Sequence, residues 1–286
     1  MFTEKSSSNE KRLETMRKNL SNIENKVESI LSKDALTYND KMILLSCVNV
    51  SFHTSGKIES IFSIDSCAAC DFCQKMIKNA SCNPLIICGL CYAAADAWKE
   101  AAWRRHKINA RIFSSVLFST EELKTLNLHT ALLVRFNEDG DTVNETMSRN
   151  YLRITAAFPR ADYGYYFKNY PEVEKGLIAE GYTSREKLPK NVRFIQSSVL
   201  IGFPSKPVWF ADAVFTVYPD AETIKNAILN GSIECNGKKC MVCGFHCYLR
   251  NRQSTAVNIA EYLRCNKAAR EKIMVAYRNR IAEISK

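Results

Sequence analysis

The arrangement of the cysteines constrains this chain more than any other sequence feature. Twelve cysteines occur among 286 residues, and ten of them fall into two short segments. A buried cysteine that serves only as a small hydrophobe has no reason to recur at two- and three-residue intervals, whereas thiolates that share a metal do. The first group is Cys67, Cys70, Cys73, Cys82, Cys88 and Cys91, and the second is Cys235, Cys240, Cys243 and Cys247. Both groups therefore predict metal binding.

The second group predicts an iron–sulfur cluster, with zinc as the alternative. Its spacing, C-x4-C-x2-C-x3-C, places all four thiols in one loop. Structural zinc sites usually join two short C-x2-C knuckles that are a dozen or more residues apart. A single loop that wraps around a metal is more typical of iron–sulfur ligation. His246 lies inside this loop and is interpreted as a neighbour of the ligands.

The first group holds more thiols than one site needs. Cys88 and Cys91 form a C-x2-C pair directly before a helix-favouring segment, where a helix N-terminus stabilises thiolates. We predict Cys73, Cys88 and Cys91 as ligands. Cys82 is the alternative third ligand. Cys67 and Cys70 either complete a zinc site or are ordinary buried thiols.

The middle of the chain alternates strand-like and helix-like segments. Apolar, β-branched or aromatic runs predict strands, and helical patterns lie between them. Such alternation implies parallel pairing, and hence an α/β fold that is either a doubly wound sheet or a βα barrel. In both, the chemistry gathers at the carboxyl ends of the strands. The predicted strands are residues 131–136, 163–167, 192–197 and 213–218, and the predicted helices are residues 146–158 and 221–230.

The best candidate site outside the cysteines is the polar loop that follows the first of these strands. It reads NEDGD and supplies Asn137, Asp139 and Asp141, with Asn144 shortly after. Barrel enzymes place cofactor- and substrate-binding side chains at this position, although an ordinary Asp-Gly turn has the same composition. The sequence contains no G-x-S-x-G, Walker, H-E-x-x-H or G-x-G-x-x-G motif, so the common hydrolase and nucleotide-binding classes are not indicated.

Helical patterns occupy both ends of the chain. Residues 8–33 carry an apolar heptad stripe, which predicts either packing on the main domain or a coiled-coil dimer. Residues 254–286 read as one long helix. These patterns divide the chain into a helical extension at 1–40, a cysteine-rich α/β domain at 41–250 and a basic helix at 251–286.

The charge balance predicts either a nucleic-acid partner or simply solvated basic faces. The formal net charge is +10, and basic residues cluster beyond residue 238 and between Trp98 and Arg111. Basic patches of this kind bind phosphate backbones. No apolar run is long enough to span a membrane, and charges occupy the position of a signal-peptide core. We therefore expect a cytoplasmic protein.

The ordered succession of these motifs resembles a known group of phage proteins. GKIESIFSIDSCAACDFCQKM, CGLCYA, RFNEDGDTVNE, YYFKNY, VRFIQSS and CNGKKCMVCGFHCY together are similar to the phage and prophage gene-product-eighty-eight family. That family is in turn similar to radical-SAM-like phage proteins. The usual radical-SAM loop is C-x3-C-x2-C, whereas this sequence has C-x2-C-x2-C and C-x5-C-x2-C.

The resemblance implies a partial βα barrel with one or two 4Fe-4S clusters, located in the cytoplasm of a host cell. It implies cluster ligation by Cys73, Cys88 and Cys91 and by the second cysteine group. One cluster would bind S-adenosylmethionine, and the NEDGD loop would contact its methionyl part or the substrate. The competing expectation is a zinc- or cluster-stabilised module that binds nucleic acid or a host protein without catalysis.

Overall fold

The chain folds around one sheet with helices on its flank. The computed structural model describes residues 3–55, 58–66, 71–90, 100–138, 140–235, 239–240, 243, 247–248, 256–263 and 267–284. The helices are α1 (Thr3–Leu31), α2 (Tyr38–Ser46), α3 (Asp71–Ala80), α4 (Glu100–Ser115), α5 (Thr120–Leu123), α6 (Glu145–Ala157), α7 (Tyr170–Ala179), α8 (Ala221–Leu229) and α9 (Lys267–Ile284). The strands are β1 (Ser51–Phe52), β2 (Phe62–Ile64), β3 (Leu133–Phe136), β4 (Asp162–Phe167), β5 (Val192–Ser197), β6 (Ala213–Tyr218), β7 (Ile233–Glu234) and β8 (Val257–Tyr262).

The eight described strands form one mostly parallel sheet, as the alternation of elements predicted. Their spatial order is β1-β2-β3-β4-β5-β6-β8-β7, and only the β1–β2 pair is antiparallel. Within the described residues β1 pairs with β2 alone and β7 with β8 alone, so the sheet is open rather than closed. Strands β2 to β6 are neighbours in chain order, without the reversal that defines a doubly wound sheet.

The helices α4, α6, α7 and α8 pack on one face of the sheet. Successive strand residues point to opposite faces. Val134 and Phe136 of β3 point into the same core as α4, α6 and α7, and Ala260 of β8 packs with Ile224 of α8. The crossovers through these helices are therefore singly wound, whereas α9 packs in a separate cluster with Leu85, Ile201 and Val217 of β6.

Capping side chains stabilise the N-termini of two of these helices, α6 and α8. The side chain of Asn144 accepts a hydrogen bond from the backbone N–H of Met147 at the start of α6. Asp220 and Thr223 form a capping box at the start of α8. Both side chains satisfy backbone N–H groups that have no partner within the helix.

Aromatic rings fill the core between the sheet and its helices. Phe136 stacks on Tyr151 of α6 with ring centroids 4.3 Å apart, and Tyr163 and Tyr165 of β4 flank the pair. All four side chains are fully buried. Rings of this size dominate the free energy of core packing, so this cluster fixes α6 against β3 and β4.

The other face of the sheet is covered by the second cysteine group and the segment before β2. Cys247 packs against Tyr166 and Ile195, and Tyr248 packs against Ile58 and Ile61. Because Gly164 has no side chain, the Tyr248 ring can lie directly on β4: a Cβ at position 164 would be 2.9 Å from Tyr248 Cε1. The cysteine loop is therefore packed on the sheet.

Helix α1 uses its apolar stripe within the chain. Leu20, Val27 and Ile30 are buried in the main core, and Met16 and Ile23 pack at its edge. Of the two alternatives that the heptad stripe allowed, the structure shows packing on the main domain. A dimer through residues 8–33 would have to use other surfaces of the helix.

The prediction of one helix over residues 254–286 is wrong in its first part. Val257–Tyr262 forms β8, which pairs in parallel with both β6 and β7, and the helix α9 begins only at Lys267. The spacing of four between Ile259 and Leu263 fits a helix, but Val257, Ile259 and Glu261 would also lie on one face of a strand. The segment forms a strand because it pairs with β6 on one side and with β7 on the other. None of the helices in the described part of the chain is long and apolar enough to cross a membrane.

Candidate functional site

A cavity of about 640 Å³ opens at the carboxyl ends of the parallel strands. Residues at or just beyond the ends of β3, β4, β5 and β8 contribute to its wall, and Arg135, Tyr166 and Phe215 project into it from within their strands. This is the edge at which open α/β sheets and barrels place their ligands. The cavity is lined by both charged and aromatic side chains.

Two groups of sequence-predicted residues meet in this cavity. Cys88 lines the wall together with Asn137 and Asp141 of the NEDGD loop. Cys88 lies in a short 3₁₀ helix, Ile87–Leu90, which is tied to the loop after β5 by a hydrogen bond from Ile87 N to the Val199 carbonyl. Its side chain is buried. About 50 residues separate the two groups in the sequence, and both were expected at the carboxyl ends of the strands.

Asn137 and Asp141 hold the NEDGD loop in place. Asn137 donates to the Tyr166 carbonyl, and its side-chain oxygen accepts from Ser66. The Asp141 carboxylate accepts from the backbone N–H groups of Lys168 and Asn169. Burial raises the pKa of Asp141 despite these hydrogen bonds. Both residues therefore lie in the wall and also connect the ends of β3 and β4.

The other predicted residues are placed elsewhere or are outside the described residues. Asn144 caps α6 and donates to the Ser114 carbonyl. Cys82 is exposed after α3, and Cys73 belongs to α3, where only its backbone is described. The predictions for Cys67, Cys70, Cys91, Asp139, Trp98 and His246 concern positions outside the described residues.

The second cysteine group gathers on the sheet face without forming a tight set of ligands. Cys235 and Cys247 pack against the same apolar cluster, and Cys240 lies beside Cys247. Burial raises the pKa of Cys247 to about 11. In a tetrahedral zinc site the sulfurs are about 3.8 Å apart, because each lies 2.3 Å from the metal. Among the described cysteines, no three sulfurs lie within 4.8 Å of one another.

A cluster of one imidazole and two carboxylates lies at the same edge of the sheet. Asp65 follows β2 and Glu138 follows β3. His53 follows the antiparallel strand β1 and its backbone lies beside Ile61, before β2, so that its imidazole reaches forward to the cluster. One ligand atom from each of the three residues lies within 4.8 Å of the others. His53 Nε2 is 3.0 Å from Glu138 Oε2 and 2.8 Å from Ser63 Oγ, and Ser63 Oγ donates to Asp65 Oδ2 at 2.7 Å.

Hydrogen bonds from neighbouring residues fix Asp65 in place. The backbone N–H of Glu138 donates to Asp65 Oδ1 at 2.8 Å, and Asn109 of α4 donates to the Asp65 carbonyl. His106, also on α4, places its Nε2 3.9 Å from Asp65 Oδ2. Four separate segments of chain therefore converge on this cluster.

The electrostatics of the cluster favour a charged His53–Glu138 pair. The hydrogen bond to Glu138 raises the pKa of His53. Burial raises the pKa of Glu138, but the hydrogen bond from His53 and the charge of Arg135 outweigh it, so the pKa lies below its usual value. Burial lowers the pKa of His106 and thereby favours its neutral form.

Sequence reasoning missed this cluster because its members come together only through strand pairing. β1 and β2 have two and three residues, which is too short for a strand pattern to be recognised. The only local signal was the position of Asp65 directly before the first cysteine group. Glu138 was inside the predicted loop but was not singled out.

Two arginines in the basic segment of α4 form ion pairs with α1. Arg104 binds Glu24 of α1, and Arg111 binds Glu28 on the same helix. Lys107 lies over the Trp103 ring at 5.6 Å. These contacts leave less free positive charge on α4 for a phosphate backbone than the sequence indicated.

Comparison of the chain with protein families, curated proteins and solved structures gave no significant match. The class is therefore defined by the fold and the site alone. This is an α/β protein with an open, singly wound, mostly parallel sheet and a cavity at the carboxyl ends of its strands that is lined by charged, aromatic and aliphatic side chains.

Proposed function

We propose that this chain is an iron–sulfur enzyme with radical-SAM-like chemistry, and that the cavity at the carboxyl ends of the strands is its reaction site. One observation carries the proposal: the buried thiol of Cys88 shares a wall with Asn137 and Asp141. A soft thiol donor and a polar ligand-binding loop are the two parts that such chemistry needs in one place.

Of Cys73, Cys88 and Cys91, only Cys88 has a described side chain. Cys88 is buried at the cavity wall, and Cys73 and Cys91 are its proposed partners from the same group. A bound iron–sulfur cluster would supply one-electron chemistry there. The singly wound sheet supports a partial barrel resembling the radical-SAM fold, since both build the site from successive strand ends.

The chain's own residues supply binding and charge in this cavity. Arg135 projects from β3 with its guanidinium 4.1 Å from the centre of the Tyr166 ring, and Lys168 lines the wall after β4. These cations are suited to the carboxylate of an amino-acid-like ligand such as S-adenosylmethionine. Glu261 on β8 adds a carboxylate to the wall of the cavity.

The second cysteine group is proposed as an auxiliary cluster site. Its thiols bind different irons in a cluster and therefore need not lie as close together as on one zinc ion. Cys235, Cys240, Cys243 and Cys247 are its ligands in this proposal. Zinc at either group is the alternative cofactor.

Anaerobic purification and reconstitution test the proposal directly. Iron, acid-labile sulfide and absorbance near 400 nm are measured for the wild type, for Cys88→Ser and for Cys47→Ser. Cys47 packs at the edge of the main core, away from the cavity, and serves as the matched control. We expect Cys88→Ser to lose iron while Cys47→Ser retains it. Absence of iron and sulfide from the wild type, or equal iron in both variants, overturns the proposal.

A second measurement separates cluster binding from the radical reaction. Reconstituted wild-type protein is reduced and incubated with S-adenosylmethionine, and the appearance of 5′-deoxyadenosine is followed. We expect its formation to depend on Cys88. Iron binding without formation of 5′-deoxyadenosine would support an iron–sulfur protein but contradict radical-SAM-like chemistry.

The non-catalytic alternative is a nucleic-acid-binding protein in the host cytoplasm, and it now depends mainly on α9. Lys272 and Arg278 are exposed on this helix, whereas Arg104 and Arg111 are bound by α1. Fluorescence anisotropy with a labelled DNA duplex would then show affinity that falls steeply with salt and is reduced in Lys272→Glu/Arg278→Glu. Binding that is absent or insensitive to salt would count against this alternative.

A further inference from the structure

We propose that His53, Asp65 and Glu138 bind a divalent transition-metal ion at the carboxyl edge of the sheet. Its ligands belong to neither cysteine group, although His53 and Glu138 line the same cavity as Cys88, so the proposal goes beyond the iron–sulfur proposal and does not depend on it. Its ligands are one imidazole nitrogen and two carboxylate oxygens, a donor set that suits Mn²⁺, Fe²⁺ or Zn²⁺.

The distances match what one ion requires. Metal bonds of about 2.1 Å place neighbouring ligand atoms about 3.0–3.5 Å apart. His53 Nε2 and Glu138 Oε2 are 3.0 Å apart, and the three ligand atoms lie within 4.8 Å of one another. Small side-chain rotations therefore suffice to bring all three to one ion.

The surroundings hold the ligands as metal sites usually do. Asp65 Oδ1 accepts the Glu138 backbone N–H, which couples the end of β2 to the end of β3. Ser63 donates to the other oxygen of the same carboxylate. Contacts of this kind orient ligands before the metal arrives and raise its affinity. His106 lies 3.9 Å from Asp65 and is placed to act as a fourth ligand or as an orienting group.

The site also has access and room for further ligands. His53 and Glu138 line the cavity at the carboxyl edge, and both side chains are partly exposed to it. Three protein ligands leave open positions for water or substrate, which is the arrangement of catalytic rather than structural metal sites. We infer that a substrate oxygen in this cavity can reach the ion, as a carboxylate or a hydroxyl group would.

Mn²⁺ is the probe that separates this site from the cysteines, because carboxylate and imidazole bind it well and thiolates select softer metals. Full-length protein is stripped with EDTA, dialysed and titrated with MnCl₂, and free Mn²⁺ is followed by electron paramagnetic resonance. We expect one equivalent to bind. Its dissociation constant should rise at least tenfold in both His53→Ala and Glu138→Gln, and it should stay unchanged in the matched controls His129→Ala and Glu121→Gln.

A measurement on the wild type guards against variants that fail to fold. Pulsed electron paramagnetic resonance of bound Mn²⁺ should show nitrogen hyperfine coupling from the His53 imidazole. No stoichiometric binding, binding without nitrogen coupling, or equal affinity in folded His53→Ala and Glu138→Gln would overturn the proposal. None of these results depends on iron, so failure here and failure of the iron–sulfur proposal remain distinguishable.

Discussion

Gly164 in β4 lies directly beneath the ring of Tyr248, so that a Cβ at position 164 would be 2.9 Å from Tyr248 Cε1 and 3.3 Å from the Cys247 carbonyl. The second cysteine group is therefore seated on the sheet at a position that only glycine leaves open. Substitutions of Gly164 and of Tyr248 each test this contact.

Gly164→Val should lift the cysteine loop from the sheet. The branched side chain would overlap the Tyr248 ring, and overpacking of this kind lowers the free energy of unfolding by about 1–3 kcal/mol. Cys247 should then react faster with a thiol reagent, because burial now holds its pKa at about 11. Mass spectrometry of labelled peptides measures this, with buried Cys88 as the internal control. Unchanged labelling of Cys247 would contradict this packing.

Tyr248→Phe should leave stability unchanged or increase it. Within the described residues the buried Tyr248 hydroxyl has no hydrogen-bond partner, so its removal relieves a desolvation cost. The matched control is Tyr165→Phe, since the Tyr165 hydroxyl is also buried but lies 2.8 Å from Thr142 Oγ1. That change should cost about 1 kcal/mol, the net contribution of a typical hydrogen bond. Urea unfolding compares the two, and an equal loss in both would refute the distinction.

Gly140→Ala should be markedly destabilising. Gly140 has φ of +82°, and a Cβ there would be 2.3 Å from the Ser66 carbonyl oxygen. Gly181→Ala is the control, because Gly181 has φ of +86° and nothing within 4 Å of a built Cβ. Strained backbone alone costs about 1–3 kcal/mol, so any larger loss for Gly140→Ala measures the crowding against Ser66. Equal losses in the free energy of unfolding, measured in urea, would show that Ser66 moves aside at no measurable cost.

The contact between α1 and α4 should depend on pH. Hydrogen bonds from Arg104 and Arg111 lower the pKa values of Glu24 and Glu28 below 4.5. A carboxyl with a lowered pKa stabilises the fold above its unfolded pKa, and that stabilisation is lost as the pH falls through the folded value.

Glu24→Gln/Glu28→Gln should therefore be less stable than the wild type at pH 7, by about 1 kcal/mol for partly exposed pairs. The difference should shrink at pH 3.5 and in high salt. Chemical unfolding at both pH values measures it, with Glu121→Gln as a control outside this contact. A difference that stays constant or grows in acid would show that α1 is held by its apolar stripe alone.

The strands that the sequence could predict are those long enough to carry a pattern. β5 and β6 coincide with the predicted runs at 192–197 and 213–218, and β4 differs by one residue. β1, β2 and β7 have two or three residues each and are held by their neighbours rather than by propensity. The sequence of β8 is compatible with a helix as well as a strand, because a spacing of four between Ile259 and Leu263 places them on one face of either structure.

The candidate site was predictable only where it follows a recognisable strand. The NEDGD loop was expected at a carboxyl end because β3 is an apolar run, and Asn137 and Asp141 do line the cavity. His53 and Asp65 follow strands too short to recognise, and their approach to Glu138 depends on the register of β2 on β3. That register is a nonlocal property which no local pattern in one sequence encodes.

The position of β8 between β6 and β7 also sets an order of assembly. Strands β2 to β6 can each pair with a neighbour that has already left the ribosome, whereas β7 must wait for β8, which is synthesised after it. The second cysteine group lies in the connection between β7 and β8, and the apolar cluster that covers Cys235 and Cys247 includes Ile259 of β8. The shielding of these two thiols is therefore completed only after β8 is in place, and until then the growing chain is open to metal loading or to oxidation there.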